Sequence, residues 1–221
     1  MSLLAKNIAF ILNRRGEELN KFLSLYQVSK VEDLSYYQLK DFCANEGVSL
    51  VNLMNFNFTI DQEKTKNIKL LILDVDGVMT DGGMYFAESG DQFKKYNTKD
   101  GMGIMQLRKY RPEIQLGIIS SGFKLEMVKA RAELLKIQHV YVGRDPKMEI
   151  LNSWCEKFDL QLSEVAIIGD DINDLEVMQN VGFSACPADA VPAVKANVDL
   201  VLQLEGGRGC VRELIDGYFM S

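Results

Sequence analysis

The amino-acid sequence predicts an α/β chain: a doubly wound parallel sheet with helices on both faces, a small β-hairpin insertion and a short helical N-terminal extension. From Ile68 onward, short apolar runs alternate with helical patterns, as in parallel strands joined by crossover helices. Runs such as Leu70-Leu71-Ile72-Leu73 are apolar without alternation, so both faces of those strands are buried. Two of the runs are followed directly by aspartates, at the strand ends where open α/β sheets bind their ligands.

Taken in order, residues 1–60 differ in texture from the rest. Ile8, Phe10-Ile11-Leu12 and later Leu39, Phe42, Val48, Leu50 and Leu53 are spaced as the apolar faces of three or four short helices. Ser35 and Ser49 are the expected N-caps. The pattern Leu39-x-x-Phe42-Cys43 followed by Gly47-Val48-Ser49-Leu50 is similar to the later helices of repressor-type helix-turn-helix domains. The segment holds six Lys/Arg and six Asp/Glu, however, and lacks the basic stripe of a DNA reader, so a packing or oligomerisation module is expected. Residues 61–66 read as a polar linker and 67–221 as the main domain. Its strands are expected at Ile68–Leu73, Gln115–Ser120, His139–Val142, Val165–Gly169, Phe183–Ala185 and Leu200–Leu202. Helices are expected at Lys124–Lys136, Lys147–Phe158, Asn173–Val181, Val191–Ala196 and Arg208–Phe219. The arrangement is Rossmann-like. Residues 83–97 break the alternation and read as a β-hairpin whose polar turn is Glu88-Ser89-Gly90-Asp91, too small for a lid domain.

Composition excludes several classes of function. A net charge of -6 argues against a nucleic-acid partner, which would be held by Lys and Arg on phosphates. No stretch reaches the roughly 20 apolar residues of a membrane span, and the N-terminal apolar run has no small-residue cleavage site, so a cytoplasmic protein is expected. Cys43, Cys155, Cys186 and Cys210 form no Cys-x-x-Cys pair and read as free thiols. His139 is the one histidine and opens an apolar strand, which gives it a structural role.

The chemistry lies in the acids. Asp74 and Asp76 follow the first strand of the main domain, and Asp170, Asp171 and Asp174 follow Val165-Ala166-Ile167-Ile168-Gly169. Clustered carboxylates repel one another and would repel a phosphate, unless a divalent cation lies between them. Mg²⁺ takes oxygen ligands and keeps several waters, so Asp74, the backbone carbonyl of Asp76 and Asp170 suffice to hold it. A phosphoryl-transfer site further needs a nucleophile and charge neutralisation. Asp74 is the candidate nucleophile, forming an aspartyl-phosphate, and Asp76 the general acid and base. Gly77 lets the chain turn so that both acids approach one site. Ser120 is placed to donate hydrogen bonds to phosphate oxygens and Lys147 to add a cation.

In this order and spacing, Asp74-Val75-Asp76-Gly77-Val78-Met79-Thr80-Asp81, Ser120, Lys147 and Gly169-Asp170-Asp171-Ile172-Asn173-Asp174 resemble the four motifs of the haloacid dehalogenase superfamily of phosphatases. Asp81-Gly82-Gly83, Asn97-x-x-Asp100-Gly101-x-Gly103-Ile104 and the tail Gly206-Gly207-Arg208-Gly209-Cys210-Val211-Arg212-Glu213 are similar to its capless branch. That branch acts on 3-deoxy-2-ulosonic acid sugar phosphates, 3-deoxy-D-manno-octulosonate 8-phosphate among them, on the way to lipopolysaccharide. It also contains 9-phosphate phosphatases of nine-carbon keto-deoxy sugars and domains fused to acylneuraminate cytidylyltransferases. The resemblance covers about residues 67–219 and implies a Mg²⁺-dependent phosphatase whose substrate is a phosphorylated keto-deoxy sugar acid. It places Gly77, Ser121, Asp100, Arg208 and Arg212 at the substrate. It further implies a homotetramer in which the hairpin and C-terminal tail of each subunit close a neighbouring site, since a small hairpin alone cannot exclude water. The octulosonate enzymes carry Gly-Arg after the second-motif residue, where this chain has Ser121-Gly122-Phe123, so that cation is absent here. A different class of function, in which the phosphatase fold is a scaffold and the N-terminal helices bind a partner, is the alternative reading of the extension.

Overall fold

The structure is a computed structural model that describes residues 1–58, 63–89, 92–122 and 125–220. The chain divides into two compact units, Met1–Asp61 and Gln62–Ser221.

The first unit contains α1 (Leu3–Arg14), α2 (Leu19–Leu25), α3 (Tyr36–Glu46) and α4 (Leu50–Asn55), with one 3₁₀ turn, Val31–Asp33, between α2 and α3. Ser35 caps α3 in a reciprocal box with Gln38, and Ser49 caps α4. Ile8, Leu12, Phe22, Phe42 and Leu53 form its core. Asn7 is fully buried there and fastens the end of α4. Its amide donates to the carbonyls of Leu53 (2.8 Å) and Phe56 (2.6 Å), and its Oδ1 accepts the Phe58 N–H (2.8 Å).

In the second unit, part of the stretch read as linker is helical, α5 (Glu63–Lys66), with Thr65 buried at 3% exposure. Burial of that side chain draws the segment into the domain; Asp61 and Gln62 lie outside the described residues. The strands in chain order are β1 (Leu70–Leu73), β2 (Tyr85–Phe86), β3 (Gln92–Phe93), β4 (Gln115–Ser120), β5 (His139–Val142), β6 (Val165–Ile168), β7 (Phe183–Cys186) and β8 (Leu200–Val201). Six of them form one parallel sheet in the order β5-β4-β1-β6-β7-β8, the doubly wound order expected. The winding reverses between β1 and β6, which makes their carboxyl ends the expected ligand crevice. The antiparallel pair β2 and β3 is the hairpin, with Tyr85 opposite Phe93; Gly90 and Asp91 of its expected turn lie outside the described residues.

The other described helices of this unit are α6 (Thr98–Tyr110), α7 (Leu125–Leu135), α8 (Lys147–Phe158), α9 (Leu175–Met178), α10 (Pro192–Lys195) and α11 (Cys210–Leu214). The expected helix Asn173–Val181 is a 3₁₀ turn at Ile172–Asp174 followed by the short α9, and the expected Arg208–Phe219 starts at Cys210 and widens at Ile215–Phe219. The start of α7 expected at Lys124 falls outside the described residues, as does Phe123. α6 was not expected, because Gly101 and Gly103 lower its helix propensity. Close packing requires them. A methyl group at Gly103 would lie 2.7 Å from Arg212 Cδ and 3.2 Å from Arg212 Cα, and one at Gly101 2.8 Å from Arg131 Nη2. Asn97 caps the helix by accepting the Lys99 N–H (2.8 Å). None of the described helices is long and apolar enough to cross a membrane.

Candidate active site

The site grows from the ladder between β1 and β6. Leu73 is paired with Ile168, and the Asp74 N–H donates to the Ile168 carbonyl (3.0 Å), which carries the pairing one residue beyond the strand. Asp74 is thereby fixed at the sheet's edge with 5% exposure. The chain then turns through Gly77, whose φ of 84° is left-handed. A methyl group there would lie 2.1 Å from Asp170 Oδ2, so the absence of a side chain at Gly77 is what admits the Asp170 carboxylate beside the turn. On the β6 side, the N–H groups of Asp170 and Asp171 both donate to Asp174 Oδ2 (3.1 and 3.4 Å). The other oxygen, Asp174 Oδ1, accepts from Lys147 Nζ (2.6 Å), which also donates to Asp74 Oδ1 (2.9 Å). Lys147 opens α8 and is buried at 5% exposure, so it joins the acids of both strand ends.

Oxygens of Asp74, Asp170 and Asp174 lie within 4.8 Å of one another. Burial, then the charge of Asp174, pushes Asp74 up to about 7 against the pull of Lys147. Burial, then Asp74 and Asp174, pushes Asp170 up to about 7 as well. Burial alone would lower Lys147, but the two carboxylates beside it raise it, so it keeps its proton. One cation among three clustered acids leaves the site short of positive charge. Asp170 Oδ1 is buried with no hydrogen-bond partner, the condition of an oxygen awaiting a ligand.

These groups open on a cleft of about 330 Å³. Ser120 ends β4 and accepts the Gly122 N–H on its Oγ (3.2 Å), while the Ser121 hydroxyl accepts from Asn173 Nδ2 (3.0 Å). Asp76 lines the cleft too, but its carboxylate turns to Lys94 and not to the three clustered acids. Lys94, Gln92 and Met84 of the hairpin form a wall that the sequence reading did not include, and Asp174, noted only as an acid at the strand end, is the third member of the cluster. A period of two along 92–94 marks an inward face but not what it faces, so the former was missed; the common partner Lys147 identifies the latter.

Asp100, Arg208 and Arg212, expected at the substrate, do not line this chain's cleft. The Asp100 carboxylate is buried and accepts the Arg212 N–H (2.8 Å), with the N–H groups of Gly209 and Val211 beside it. It holds the start of α11, and burial raises it to about 6. The Arg212 guanidinium pairs with Asp216 (2.6 Å), and Arg208 is exposed. The tail serves its own subunit as a buttress. The Gly207 N–H and the Cys210 thiol both donate to the Val78 carbonyl (2.9 and 3.3 Å), and a methyl group at Gly206 would lie 2.0 Å from the Gly77 carbonyl oxygen. The four cysteines are buried free thiols. His139 bonds through Nε2 with Gln115 Oε1 (3.0 Å) and lies 4.3 Å from the Phe158 ring, a packing role.

The profile of the family described as haloacid dehalogenase-like hydrolase matches residues 118–213. The 3-deoxy-D-manno-octulosonate 8-phosphate phosphatase of Escherichia coli (strain K12) is 40% identical over 153 residues, 69% of this chain and 80% of that protein. Its counterpart from Salmonella typhi is 39% identical over 170 residues, 77% of this chain and 89% of that one. Among solved structures, the phosphatase of that name from Moraxella catarrhalis, in complex with magnesium ion, phosphate ion and KDO molecule, aligns with a TM-score of 0.68 at 33% identity over 72% of this chain and 90% of its own. The strand order and the motifs thus agree with these likenesses: the chain belongs to the haloacid dehalogenase-like hydrolases, in the branch of the 3-deoxy-D-manno-octulosonate 8-phosphate phosphatases, and is a phosphoric monoester hydrolase.

Proposed function

We propose that this chain hydrolyses the terminal phosphate of a 3-deoxy-2-ulosonic acid sugar phosphate, 3-deoxy-D-manno-octulosonate 8-phosphate first among them, with Mg²⁺ and through Asp74. The observation that carries the reading is the convergence of Asp74, Asp170 and Asp174 from two neighbouring strand ends, with Lys147 shared between Asp74 and Asp174. The donor set fits Mg²⁺: hard carboxylate oxygens from Asp74 and Asp170, the Asp76 carbonyl, and an orphaned Asp170 Oδ1. When bound, the ion supplies the positive charge that lets a phosphate dianion approach these acids. The relatives' substrate and the magnesium, phosphate and KDO bound to one of them support the assignment.

Asp74 attacks phosphorus with a carboxylate oxygen, and the bond from phosphorus to the sugar oxygen breaks. Asp76 gives that oxygen its proton, so the sugar leaves as an alcohol. Asp76 then takes a proton from water, the hydroxide attacks phosphorus, and inorganic phosphate leaves with Asp74 restored. Lys147 holds Asp74 in line, and Ser120 and Ser121 donate to the phosphate oxygens. Exposed Met84, Tyr85, Phe86 and Phe93 on the hairpin favour burial against another copy, which supports the expected homotetramer.

A panel of octulosonate 8-phosphate, nonulosonate 9-phosphates and common sugar phosphates, assayed for phosphate release with Mg²⁺, tests the reading. Preference for the octulosonate ester is expected. Release from common sugar phosphates alone rejects the substrate class, and release from none rejects the function.

A further inference from the structure

Among the described residues, the cleft has one cation on its open wall, and it comes from the hairpin. Lys147 is engaged beneath the floor by two carboxylates and is 3% exposed in its side chain, whereas Lys94 lines the cleft itself. Along 92–95 exposure alternates: Gln92 and Lys94 turn inward, while Phe93 and Lys95 are exposed. This is the period of a strand, and the Thr80–Tyr96 bridge continues it past Lys94. Because Thr80 ends the turn that carries Asp76, that bridge fixes the hairpin's return arm against the first motif. The arm then divides its two lysines between two acids. Lys94 pairs with Asp76 Oδ1 on the cleft side, and Lys95 lies 3.6 Å from Asp81 on the other.

The Asp76 carboxylate is otherwise loosely held. Its side chain is 42% exposed, and it stands apart from the cluster of Asp74, Asp170 and Asp174. The pair with Lys94 occupies one oxygen. The other, Oδ2, looks toward Gly122: a methyl group there would lie 3.2 Å from it and 3.3 Å from Ser120 Oγ. Asp76 Oδ2 and the Ser120 hydroxyl therefore flank one point at the mouth of the phosphate corner. A proton donor acts only from within hydrogen-bond reach of the oxygen it serves, so the direction of this carboxylate matters as much as its presence.

We infer that Lys94 is a positioning residue: by holding Asp76 Oδ1 it keeps Oδ2 aimed past Gly122 at the ester oxygen of a bound phosphate. The inference rests on the phosphatase reading and on Asp76 as its acid. It also gives the hairpin a part in its own subunit's chemistry, separate from any cover it provides to another copy. The chain has no arginine directly after Ser121-Gly122, and among the described residues that line the cleft Lys94 is the one cation.

The test compares two esters that differ in how much their leaving group needs a proton. The alkoxide of octulosonate 8-phosphate needs one; the phenolate of p-nitrophenyl phosphate leaves without it. With Mg²⁺ present, Lys94→Met is expected to lower kcat on the sugar ester by about 10–100-fold, part of what a general acid contributes, and on the aryl ester by less than about 3-fold. Lys94→Arg is expected to restore most of the loss, since a guanidinium also holds a carboxylate. The aryl ester doubles as the check that the variant is folded. Equal loss on both esters, no loss on either, or no rescue by Lys94→Arg overturns the inference. A wild-type chain inactive on octulosonate 8-phosphate overturns the substrate reading, and the comparison is then made on the alkyl phosphate of the panel that it cleaves. A wild-type chain inactive on both esters overturns the phosphatase reading and this inference together.

Discussion

At the scale of single residues, the site is a balance between burial and charge. Asp74 and Asp170 are raised from 3.8 to about 7, first by burial and then by one another's neighbours, because one lysine is shared among the acids. Asp74→Asn removes the nucleophile and is expected to lower turnover by at least about 10³-fold. Its fold should persist, since Lys147 keeps Asp174 as partner and a buried repulsion is relieved. Circular dichroism beside the rate assay checks both parts. Asp170→Asn keeps the shape but loses the charge of the oxygen without a partner, and the Mg²⁺ concentration for half-maximal rate should rise by about tenfold or more. A Mg²⁺ titration of the variant measures this, and an unchanged midpoint contradicts the assignment of Asp170 as ligand.

At the scale of elements, the glycines of α6 and of the tail set how closely backbones approach the catalytic turn. Alanine is the better helix former, yet Gly103→Ala would press a methyl group onto the Arg212 backbone, because α6 and α11 cross there. A loss of about 1–3 kcal/mol is expected, measured by urea unfolding. A gain in stability would mean that α11 shifts freely. Much of the second unit was legible in the residues. Leu70–Leu73 and Val165–Ile168 are unbroken apolar runs, and aspartates follow each directly, so strands and acids were found together. α6 was hidden, because its propensity argues against a helix and only packing against Arg131 and Arg212 explains its glycines. Asp100, expected at the substrate, does not line this chain's cleft, and the sequence could not show this for a related reason. A motif acid reads the same whether it meets a ligand or the three N–H groups at the start of α11. Lys94 was invisible, since its partner Asp76 lies across a turn whose register no local pattern fixes.

At the scale of the whole molecule, surplus negative charge makes stability depend on pH and on cation together. Both aspartates are raised in the folded state, so between about pH 4 and about pH 7 the folded chain binds more protons than the unfolded one. Stability of the metal-free protein is therefore present at the acid end of that window and is lost as pH rises through it. A thermal melt should show a higher Tm at about pH 5 than at about pH 8, and Mg²⁺ should raise Tm more at the higher pH, where the carboxylates are ionised. A metal-free Tm that climbs steadily with pH contradicts this balance. The hairpin's exposed Phe86 and Phe93 bear on assembly, and the double change Phe86→Ser with Phe93→Ser should lower the mass seen by light scattering if copies meet there. An unchanged mass places the interface elsewhere.

The claim on which the rest depends is that phosphorus passes through Asp74. Quenching the enzyme during turnover of octulosonate 8-phosphate with Mg²⁺, reducing with borohydride and sequencing by mass spectrometry reads this directly, because borohydride converts an acyl phosphate to homoserine. The account predicts homoserine at position 74 and nowhere else. Phosphate release at full rate with aspartate unmodified at position 74 at every quench time would contradict it.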